Sequence, residues 1–437
     1  MKKSRFNIIR KIDEDIHIIF NSFSLAIAKI DKDFFKIYNN VENIDVNTLA
    51  DNDKQTFNSM IEANFIVDNE CNELKNLEFF RLNQIINIKS LGLTIYPTLA
   101  CNFDCYYCYE KNKTGVMTDK VQEKILELIR YHAERKSDIQ IEWIGGEPLL
   151  KFDIIYDLSK KIMDVCKKNN VKYSAHILTN GYLFTDDIIT KIKECNIEFV
   201  QVTLDGPPEI HNKRRFLKNT KNGTFNKILE NTKKLKENKI NVSIRVNVNK
   251  DFNDETLMKL TKILEKNNLK DDFHIANEFN PDSNKRSCYD DNCFSDEAFA
   301  KFNLDFCKKL HNLGIIELDK NYYPKLILNF CLATKSNSLE IDPEGYLYKC
   351  HRDVSVKEKA IGNILDSSYN EKFFNNNVKY MTWNPFSFNK CTECNIIPIC
   401  GGNCPEIGLA KNEPQCINWK YNIEDLIDAI ALFKSKE

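Results

Sequence analysis

The chain has 437 residues, of which 42% are hydrophobic and 29% charged. This composition supplies apolar material for roughly two to four folded domains and excludes a disordered chain. The chain has 62 basic and 63 acidic residues, so it carries no overall positive charge that would attract nucleic acid or an anionic membrane. We expect neither as a partner.

The N-terminal segment begins with an interrupted apolar run. Acidic residues at positions 13–15 break the stretch that a signal peptide would need, and no apolar stretch approaches the roughly 18 residues of a membrane helix, so we expect a cytoplasmic protein. The stretches FNIIRKI and IHIIFNSFSLAIAKI flank this acidic turn and predict a β-hairpin. Short helical segments and the strand FIV follow, which predicts a winged-helix-like domain over residues 1–90.

Between residues 93 and 281, six β-branched runs alternate with amphipathic helical patterns, for example at 118–136 and 224–239. The runs are LTIYPTLA, IQIEWIGG, YSAHILTNG, EFVQVTLDG, NVSIRVNVN and FHIANEFNP. This alternation predicts an α/β fold with a parallel sheet, whose functional residues lie at the carboxyl ends of the strands. A further helix is predicted at 295–314, ahead of a cysteine-rich C-terminus of short strands and loops.

Sixteen cysteines are many for a cytoplasmic protein, where thiols stay reduced, so clustered cysteines indicate metal binding or catalysis. Cys101, Cys105 and Cys108 follow the first strand of the alternating region. Three thiolates at this spacing can bind three corners of a cubane 4Fe-4S cluster and leave the fourth iron open. Zinc is the alternative, although structural zinc usually takes four protein ligands and no fourth Cys or His lies nearby in sequence.

The CxxxCxxC pattern after the first strand of a βα barrel resembles the radical S-adenosylmethionine (radical SAM) enzymes. The resemblance implies a partial (β/α)6 TIM-like barrel over residues 91–290, with a 4Fe-4S cluster on these three cysteines and S-adenosylmethionine beside it. The implied cofactor contacts are Tyr107, the GGEP motif of Gly145, Gly146, Glu147 and Pro148, and Thr203 and Arg215. A carboxylate such as Glu147 is a natural acceptor for the methionine ammonium. Arg214 is the alternative to Arg215, and a solvated basic turn is the alternative for both.

Seven further cysteines have the spacing of a SPASM domain, which they resemble over residues 331–437, after a bridging helical region at 291–330. This resemblance implies two auxiliary 4Fe-4S clusters, a distal one on Cys391, Cys394, Cys400 and Cys416, and a proximal one on Cys331, Cys350 and Cys404. With three ligands evident, the proximal cluster has either an open iron for a substrate thiolate or a remote fourth ligand, which is a cysteine such as Cys307, a His or an Asp. A zinc ribbon is the alternative for the CxxC segment. The remaining cysteines are interpreted as small buried or surface residues: Cys71, Cys166, Cys195, Cys288, Cys293 and Cys307.

Most SPASM enzymes modify peptides or proteins, so the resemblance implies a maturase of a ribosomally made precursor peptide, and we expect a thioether between a cysteine sulfur and a carbon. Residues 1–90 resemble leader-recognition elements, with a structural cap or a DNA-binding winged helix as alternatives. The expected partners are the precursor peptide with its leader and a reductant such as flavodoxin or ferredoxin.

The sulfatase-maturing relatives place an aspartate where this chain has His351, which counts against formylglycine formation. His351 is instead a candidate base, with a packing or surface role as the alternative. Sulfatase maturation, carbon-carbon crosslinking, residue epimerisation and a cluster-bearing scaffold protein remain the other interpretations of the chain.

Overall fold

The computed structural model describes residues 1–13, 17–86, 89–108, 110, 113–278, 292–329 and 331–434. The chain divides into two compact units. The first comprises Met1–Ile86, Ser295–Leu332 and Trp383–Glu437, and the second comprises Asn87–Phe294 and Ala333–Thr382. These boundaries differ from the predicted domain boundaries because two C-terminal segments pack with the N-terminal one, and the division into functional domains stays a prediction. Across the described residues, no helix combines the length and the apolar character needed to cross a membrane.

The N-terminal segment of the first unit contains small sheets and three helices. In chain order these are β1 (Lys2–Lys3), β2 (Asn7–Lys11), β3 (His17–Asn21), β4 (Ile27–Ile30), α1 (Lys32–Asn40), α2 (Asp51–Glu62), β5 (Ile66–Val67) and α3 (Glu73–Ile86). Strands β2, β3 and β4 form an antiparallel sheet, which confirms the hairpin. Its second predicted arm is in fact two strands, because the chain reverses where Leu25 takes a left-handed conformation (φ 64°) and Asn21 Oδ1 accepts from the Phe23 and Ser24 amides.

The six predicted strands of the alternating region all form in the second unit. The elements are β6 (Ser90–Ile95), α4 (Asp119–Glu134), β7 (Asp138–Trp143), α5 (Phe152–Asn169), β8 (Tyr173–Leu178), α6 (Asp186–Glu194), β9 (Ile197–Thr203), α7 (Pro208–Arg214), α8 (Phe225–Glu237), β10 (Asn241–Val248), α9 (Asp254–Lys266) and β11 (Phe273–Asn277). Neighbours in sequence pair in parallel from β6 to β11, as predicted. The side chains of Thr118 and Asn253 cap the N-termini of α4 and α9 by accepting hydrogen bonds from the backbone amides of Val121 and Thr256.

Strand β7 shows why the two faces of this sheet differ. Ile139, Ile141 and Trp143 are fully buried on the face where α4 and α5 pack, whereas Gln140 is exposed and Glu142 half-buried on the other face. Successive strand residues point to opposite faces, so this alternation leaves one face of the sheet polar. The functional residues described below lie on that polar face and at the carboxyl ends of the strands.

The C-terminal half contributes to both units. Its elements are α10 (Asp296–Asn312), α11 (Leu318–Asn321), β12 (Ser338–Ile341), β13 (Tyr346–Tyr348), β14 (Gly362–Asn363), α12 (Glu371–Met381), α13 (Asn389–Thr392), α14 (Ile397–Cys400), α15 (Pro405–Lys411) and α16 (Trp419–Lys434). Strand β12 pairs in parallel with β6, and β13 and β14 extend the same sheet to nine strands, an extension that the sequence analysis missed. In the first unit, Phe20 of β3, Leu304 of α10 and Ile427 of α16 share one apolar core.

Candidate active site

Cys101, Cys105 and Cys108 lie on the loop that follows β6, at the carboxyl end of the strand, as the sequence predicts. The backbone of this loop is fixed by the segment after α7, since the Asp104 amide donates to the Phe216 carbonyl (3.0 Å). Burial, followed by nearby acidic groups that include the other thiols, raises the pKa of Cys101 to about 12 and that of Cys108 to about 11. The three thiols therefore lie close enough to act on one another, and each needs a neighbouring positive charge, such as iron, to ionise.

This arrangement suits a cluster better than a single ion. In the described part of the chain, no three His, Cys, Asp or Glu side chains are placed to hold one metal ion. A cubane cluster requires a different ligand geometry. Each thiolate binds its own iron, so the thiolates lie farther apart than the ligands of a single ion. Three cysteines on one loop, close enough to act on one another electrostatically, fit that wider arrangement.

The GGEP motif follows β7 and packs against the cysteine loop. A Cβ atom on Gly145 would overlap the carbonyl oxygen of Thr98, and one on Gly146 would overlap those of Leu99 and Ala100. The Glu147 amide donates to the Ala100 carbonyl at 2.9 Å. The two glycines thus let the backbone approach the chain's own loop, in addition to any ligand.

Glu147 itself is fully buried, and its carboxylate links neighbouring segments of the chain through hydrogen bonds. Its carboxylate accepts from Thr179 Oγ1 (2.6 Å), the Asn180 amide (2.8 Å) and the Leu149 amide (3.0 Å), and burial raises its pKa. Asn180 Nδ2 in turn donates to Asn102 Oδ1 (2.8 Å), between the first two cysteines. Glu147 therefore joins the ends of β7 and β8 to the cysteine loop, and its predicted contact with a cofactor ammonium stays a prediction. Pro148, also predicted as a contact, is buried and begins a short 3-10 turn.

Tyr107 belongs to a buried network at the carboxyl end of β9. Its hydroxyl donates to Asp205, and Arg215 Nη1 donates to the Tyr107 oxygen at 2.6 Å. Asp205, which the sequence analysis quoted within TLDG without giving it a role, also accepts from the Asn247 amide (2.9 Å). Thr203 lies half-buried at the end of the same strand. Tyr107, Thr203 and Arg215 thus lie in one region, at the carboxyl ends of the strands.

The structure separates the two adjacent arginines. Arg214 Nη2 forms a buried ion pair with Glu278 Oε2 (2.9 Å) and also donates to the Asn247 carbonyl (3.1 Å). Nε has no hydrogen-bond partner among the described residues in either arginine, so this atom does not distinguish them. Arg215 forms no ion pair with a carboxylate there, and its charge lowers the pKa that burial raises at Cys105. The lack of a carboxylate partner and the proximity to Cys105 favour Arg215 as the arginine that faces a ligand.

His351, the candidate base, directs Nδ1 to Glu340 Oε2 at 3.0 Å. Tyr96 donates to the same oxygen at 2.8 Å. Burial lowers the pKa of His351, but the carboxylates of Glu340, Glu142 and Glu110 outweigh it and raise the pKa to about 9. At neutral pH the imidazole therefore already carries the proton that a base would accept, which argues for an ion-pair role and against the predicted base.

A row of polar residues on the polar face of the sheet was missed by the sequence analysis. Glu340, Thr94, Glu142 and His176 are register neighbours on β12, β6, β7 and β8. Thr94 donates to Glu142 Oε2 (3.1 Å), and His176 Nε2 lies 3.4 Å from Glu142 Oε1. The available signal was the polar residues that alternate with apolar ones in a strand pattern such as IQIEWIGG. Which residues lie beside them depends on strand order and register, which the pattern does not give.

Four C-terminal cysteines line one pocket of the first unit, and they are the predicted distal ligands Cys391, Cys394, Cys400 and Cys416. Burial, followed by the other three thiols, raises the pKa of Cys391 to about 12. Lys420 also lines the pocket and donates to Cys394 Sγ at 3.8 Å. Four thiols around one pocket fit a fully ligated 4Fe-4S cluster.

The predicted proximal ligands are divided between the units. Cys331 and Cys404 belong to the first unit and Cys350 to the second, so a shared site for them stays a prediction. Cys307, the suggested remote ligand, lies in the apolar core of the first unit with Leu304 and Ile427, where burial raises its pKa to about 12. This environment favours a packing role for Cys307.

Comparison with known proteins identifies the domain that carries the cysteine loop. The model of the radical SAM superfamily matches residues 95–264. A cysteine-type anaerobic sulfatase-maturating enzyme of Clostridium novyi is 28% identical over 345 residues, which cover 72% of this chain and 88% of that protein. The radical SAM cyclopropyl synthase TigE of Paramaledivibacter caminithermalis is 24% identical and covers 91% of this chain and 88% of its own length.

Solved structures share the fold. Native anSMEcpe with bound AdoMet and the Cp18Cys peptide has a TM-score of 0.61 at 20% identity, covering 79% of this chain and 99% of its own. Streptococcus suis SuiB bound to the precursor peptide SuiA has a TM-score of 0.54 at 16% identity, covering 95% of this chain and 98% of its own. Residues 95–264 therefore form a radical SAM domain on an α/β fold with a largely parallel sheet, and the protein is an enzyme.

Proposed function

We propose that this enzyme modifies a ribosomally made precursor peptide, and that it joins a cysteine sulfur to a carbon of another residue as a thioether. The observation that carries peptide modification is that proteins similar to most of the chain act on or bind polypeptides. One relative is named a sulfatase-maturating enzyme, and the structures of anSMEcpe and SuiB contain a peptide. When bound, S-adenosylmethionine and the radical SAM cluster would supply a 5′-deoxyadenosyl radical that removes a hydrogen atom from carbon.

The residues of this chain would hold those groups in defined ways. Cys101, Cys105 and Cys108 would bind the cluster, and Arg215, which forms no ion pair with a carboxylate among the described residues, would face the cofactor beside Tyr107. The hydrogen bonds of Glu147 hold the cysteine loop against the ends of β7 and β8. Such support matters because a catalytic site must be held in its productive geometry by its surroundings.

A SPASM domain at 331–437 would add two auxiliary clusters. The pocket lined by four cysteines supports the distal one. For the proximal one the sequence offers Cys331, Cys350 and Cys404, and the apolar environment of Cys307 leaves no fourth cysteine assigned. An open position there suits an enzyme that handles a substrate thiolate, which is why we favour a thioether over the other bonds.

We also propose that residues 1–90 bind the leader of the precursor. The sheet of β2, β3 and β4 ends at β4, beside which the described residues place no further strand. An extended peptide can add to such an edge through backbone hydrogen bonds. A reductant such as flavodoxin or ferredoxin would supply the electron, and neither nucleic acid nor membrane is needed.

Sulfatase maturation is the second candidate, because the sulfatase-maturating relative covers 72% of the chain. The raised pKa of His351, about 9, counts against it if this position must act as a base, because the imidazole is already protonated at neutral pH. Carbon-carbon crosslinking and epimerisation remain further alternatives within the same class of reaction.

The test is anaerobic turnover with reconstituted enzyme, S-adenosylmethionine and reductant. The substrates are a short cysteine-containing precursor peptide, to be sought among the reading frames beside the gene, and, separately, a sulfatase-motif peptide. Loss of two hydrogens together with loss of an alkylatable thiol is the expected result for a thioether, read by intact mass. Aldehyde formation on the sulfatase peptide alone would establish the second candidate, and Cys71→Ala, outside both cysteine groups, is the matched control for cysteine variants.

A further inference from the structure

Two lysines line the pocket of the four distal cysteines, and the structure gives them different partners. Lys390 Nζ lies 2.5 Å from Glu413 Oε1 and also donates to the Pro414 carbonyl, so a carboxylate offsets its charge. Lys420 Nζ instead donates to Cys394 Sγ at 3.8 Å and forms no ion pair among the described residues. The charge of Lys420 is therefore directed at a cysteine sulfur rather than at a carboxylate.

The helix that carries Lys420 does not account for a lysine at this position. Lys420 lies in the first turn of α16, which contains no acidic residue. The first turn of a helix already has a partial positive charge from its free backbone N–H groups, so a lysine there does not stabilise the helix. Ile396, Ile397 and Pro414 line the same pocket, and their apolar side chains leave less water to screen a charge. The start of α16 thus brings positive charge to the pocket.

A positive charge at a ligand sulfur has a definite effect on an iron-sulfur cluster. The potential of such a cluster depends on its net charge, on hydrogen bonds to its sulfurs and on solvent exposure. One-electron reduction adds a negative charge, so a cation that donates to a ligand sulfur stabilises the reduced form more than the oxidised form. We propose that Lys420 raises the reduction potential of the distal cluster by donating to Cys394 Sγ.

This inference rests on the proposed distal cluster and adds to it the residue that sets how readily the cluster accepts an electron. Lys420 acts through the sulfur of Cys394, so it is a positioning residue and its effect is read as a change in potential. Because the side chain of Lys420 is exposed, water screens part of its charge and limits the effect. Lys390 contributes less, since its ion pair with Glu413 offsets its charge.

The experiment is an anaerobic redox titration of the reconstituted full chain with dithionite and mediator dyes, followed by electron paramagnetic resonance. Lys420→Met removes the charge and the donor at similar side-chain length. It is expected to lower the equilibrium constant for one-electron reduction of one cluster about tenfold, which is about 59 mV. Lys420→Arg keeps both the charge and the donor and should change that constant less than twofold. Lys36→Met, on an exposed position of α1 outside the pocket, makes the same charge change and should also have less than a twofold effect.

Combining Cys101→Ala, Cys105→Ala and Cys108→Ala removes the signal of the loop cluster, so the shifted signal should persist in that chain as an auxiliary one. Lys420→Gln repeats the test if Lys420→Met fails to retain iron. An unchanged midpoint potential in Lys420→Met with full iron content would overturn the inference while the distal cluster stands.

Two further results would also overturn the inference. One is an equal shift in Lys36→Met, and the other is a midpoint in Lys420→Arg as low as that in Lys420→Met. Equal iron content in wild type and Cys391→Ala would instead remove the distal cluster itself, and the inference with it. Because the potential is measured without peptide, failure to form a thioether would refute the proposed bond and leave the result for Lys420 intact.

Discussion

The two cysteine groups of this chain are built on different kinds of scaffold. Cys101, Cys105 and Cys108 lie on a loop that follows a strand of the nine-stranded sheet and is bonded on several sides by the chain itself. The distal ligands, by contrast, include Cys391 and Cys400 on helices of four residues each. The first loop has its shape from the protein, whereas the C-terminal segment has little regular structure and depends more on what its cysteines bind.

The C-terminal group is also connected to the N-terminal segment. Ser22 Oγ donates to the Asn395 carbonyl and Arg5 Nη2 to the Thr392 carbonyl, so the segment between the distal cysteines is bonded to residues near β2 and β3. Arg10 of β2 forms ion pairs with Glu424 and Asp428 of α16. Disturbing the distal site should therefore reach the proposed leader-binding region, while disturbing the cysteine loop should stay local.

The largest effect is expected from Cys101→Ala. Removing one of three thiolate ligands should reduce S-adenosylmethionine cleavage at least a thousandfold, because the cluster loses a corner, while the thermal unfolding midpoint of the chain changes little. The measurement is anaerobic formation of 5′-deoxyadenosine, with Cys71→Ala as the control that keeps activity. Retained cleavage in Cys101→Ala would refute the assignment of the loop as the cluster site.

Cys391→Ala should act on folding as well as on iron content. We expect about four fewer irons per chain and a free energy of unfolding lowered by several kcal/mol, because metal binding and folding are linked in such segments. Hydrogen exchange should increase in β2 and β3 along with the C-terminal helices. If Cys391→Ala and Cys101→Ala had the same unfolding midpoint, the C-terminal segment would depend on its metal no more than the cysteine loop does, and the proposed difference between them would be wrong.

Sequence reasoning located both cysteine groups and all six parallel strands, since spacing and alternation are local properties of the chain. It could not place Glu340 beside Thr94, because that pairing requires β12 to join the sheet next to β6. It also could not show that α10 and α16 pack with β3, because an apolar face indicates burial but not the partner. The second arm of the predicted hairpin was wrong in length for a similar reason, as Leu25 lacks the usual glycine signal of a left-handed turn.

A smaller effect should follow from Glu147→Ala, which tests the support of the cysteine loop. The change leaves the buried donors of Thr179, Asn180 and Leu149 without their acceptor, and we expect the free energy of unfolding to fall by about 3 kcal/mol. Glu147→Gln keeps the shape and one carbonyl oxygen, so its loss should be about half as large. The sharper measurement is hydrogen exchange of the Asn180 amide. Unchanged protection of this amide in Glu147→Ala would show that the hydrogen bonds of Glu147 are not needed to hold the cysteine loop.

The smallest effect concerns His351, which lies next to a predicted C-terminal ligand yet belongs to the hydrogen-bonded scaffold of the second unit. Its pKa is raised from 6.5 to about 9 in the fold, so the stabilisation is complete below pH 6.5 and is lost as the pH rises through 9. Because the side chain is 47% exposed and screened by water, we expect a loss of no more than about 1 kcal/mol.

Urea midpoints of wild type and His351→Gln between pH 6 and pH 10 should therefore converge as the pH rises, since the variant lacks the ion pair with Glu340 and the other titrating groups are common to both chains. Two parallel curves would mean that the imidazole is neutral near pH 7. A neutral His351 beside Tyr96 and Glu340 would be able to accept a substrate proton. It could then serve as the base that sulfatase maturation requires, and that alternative would be strengthened.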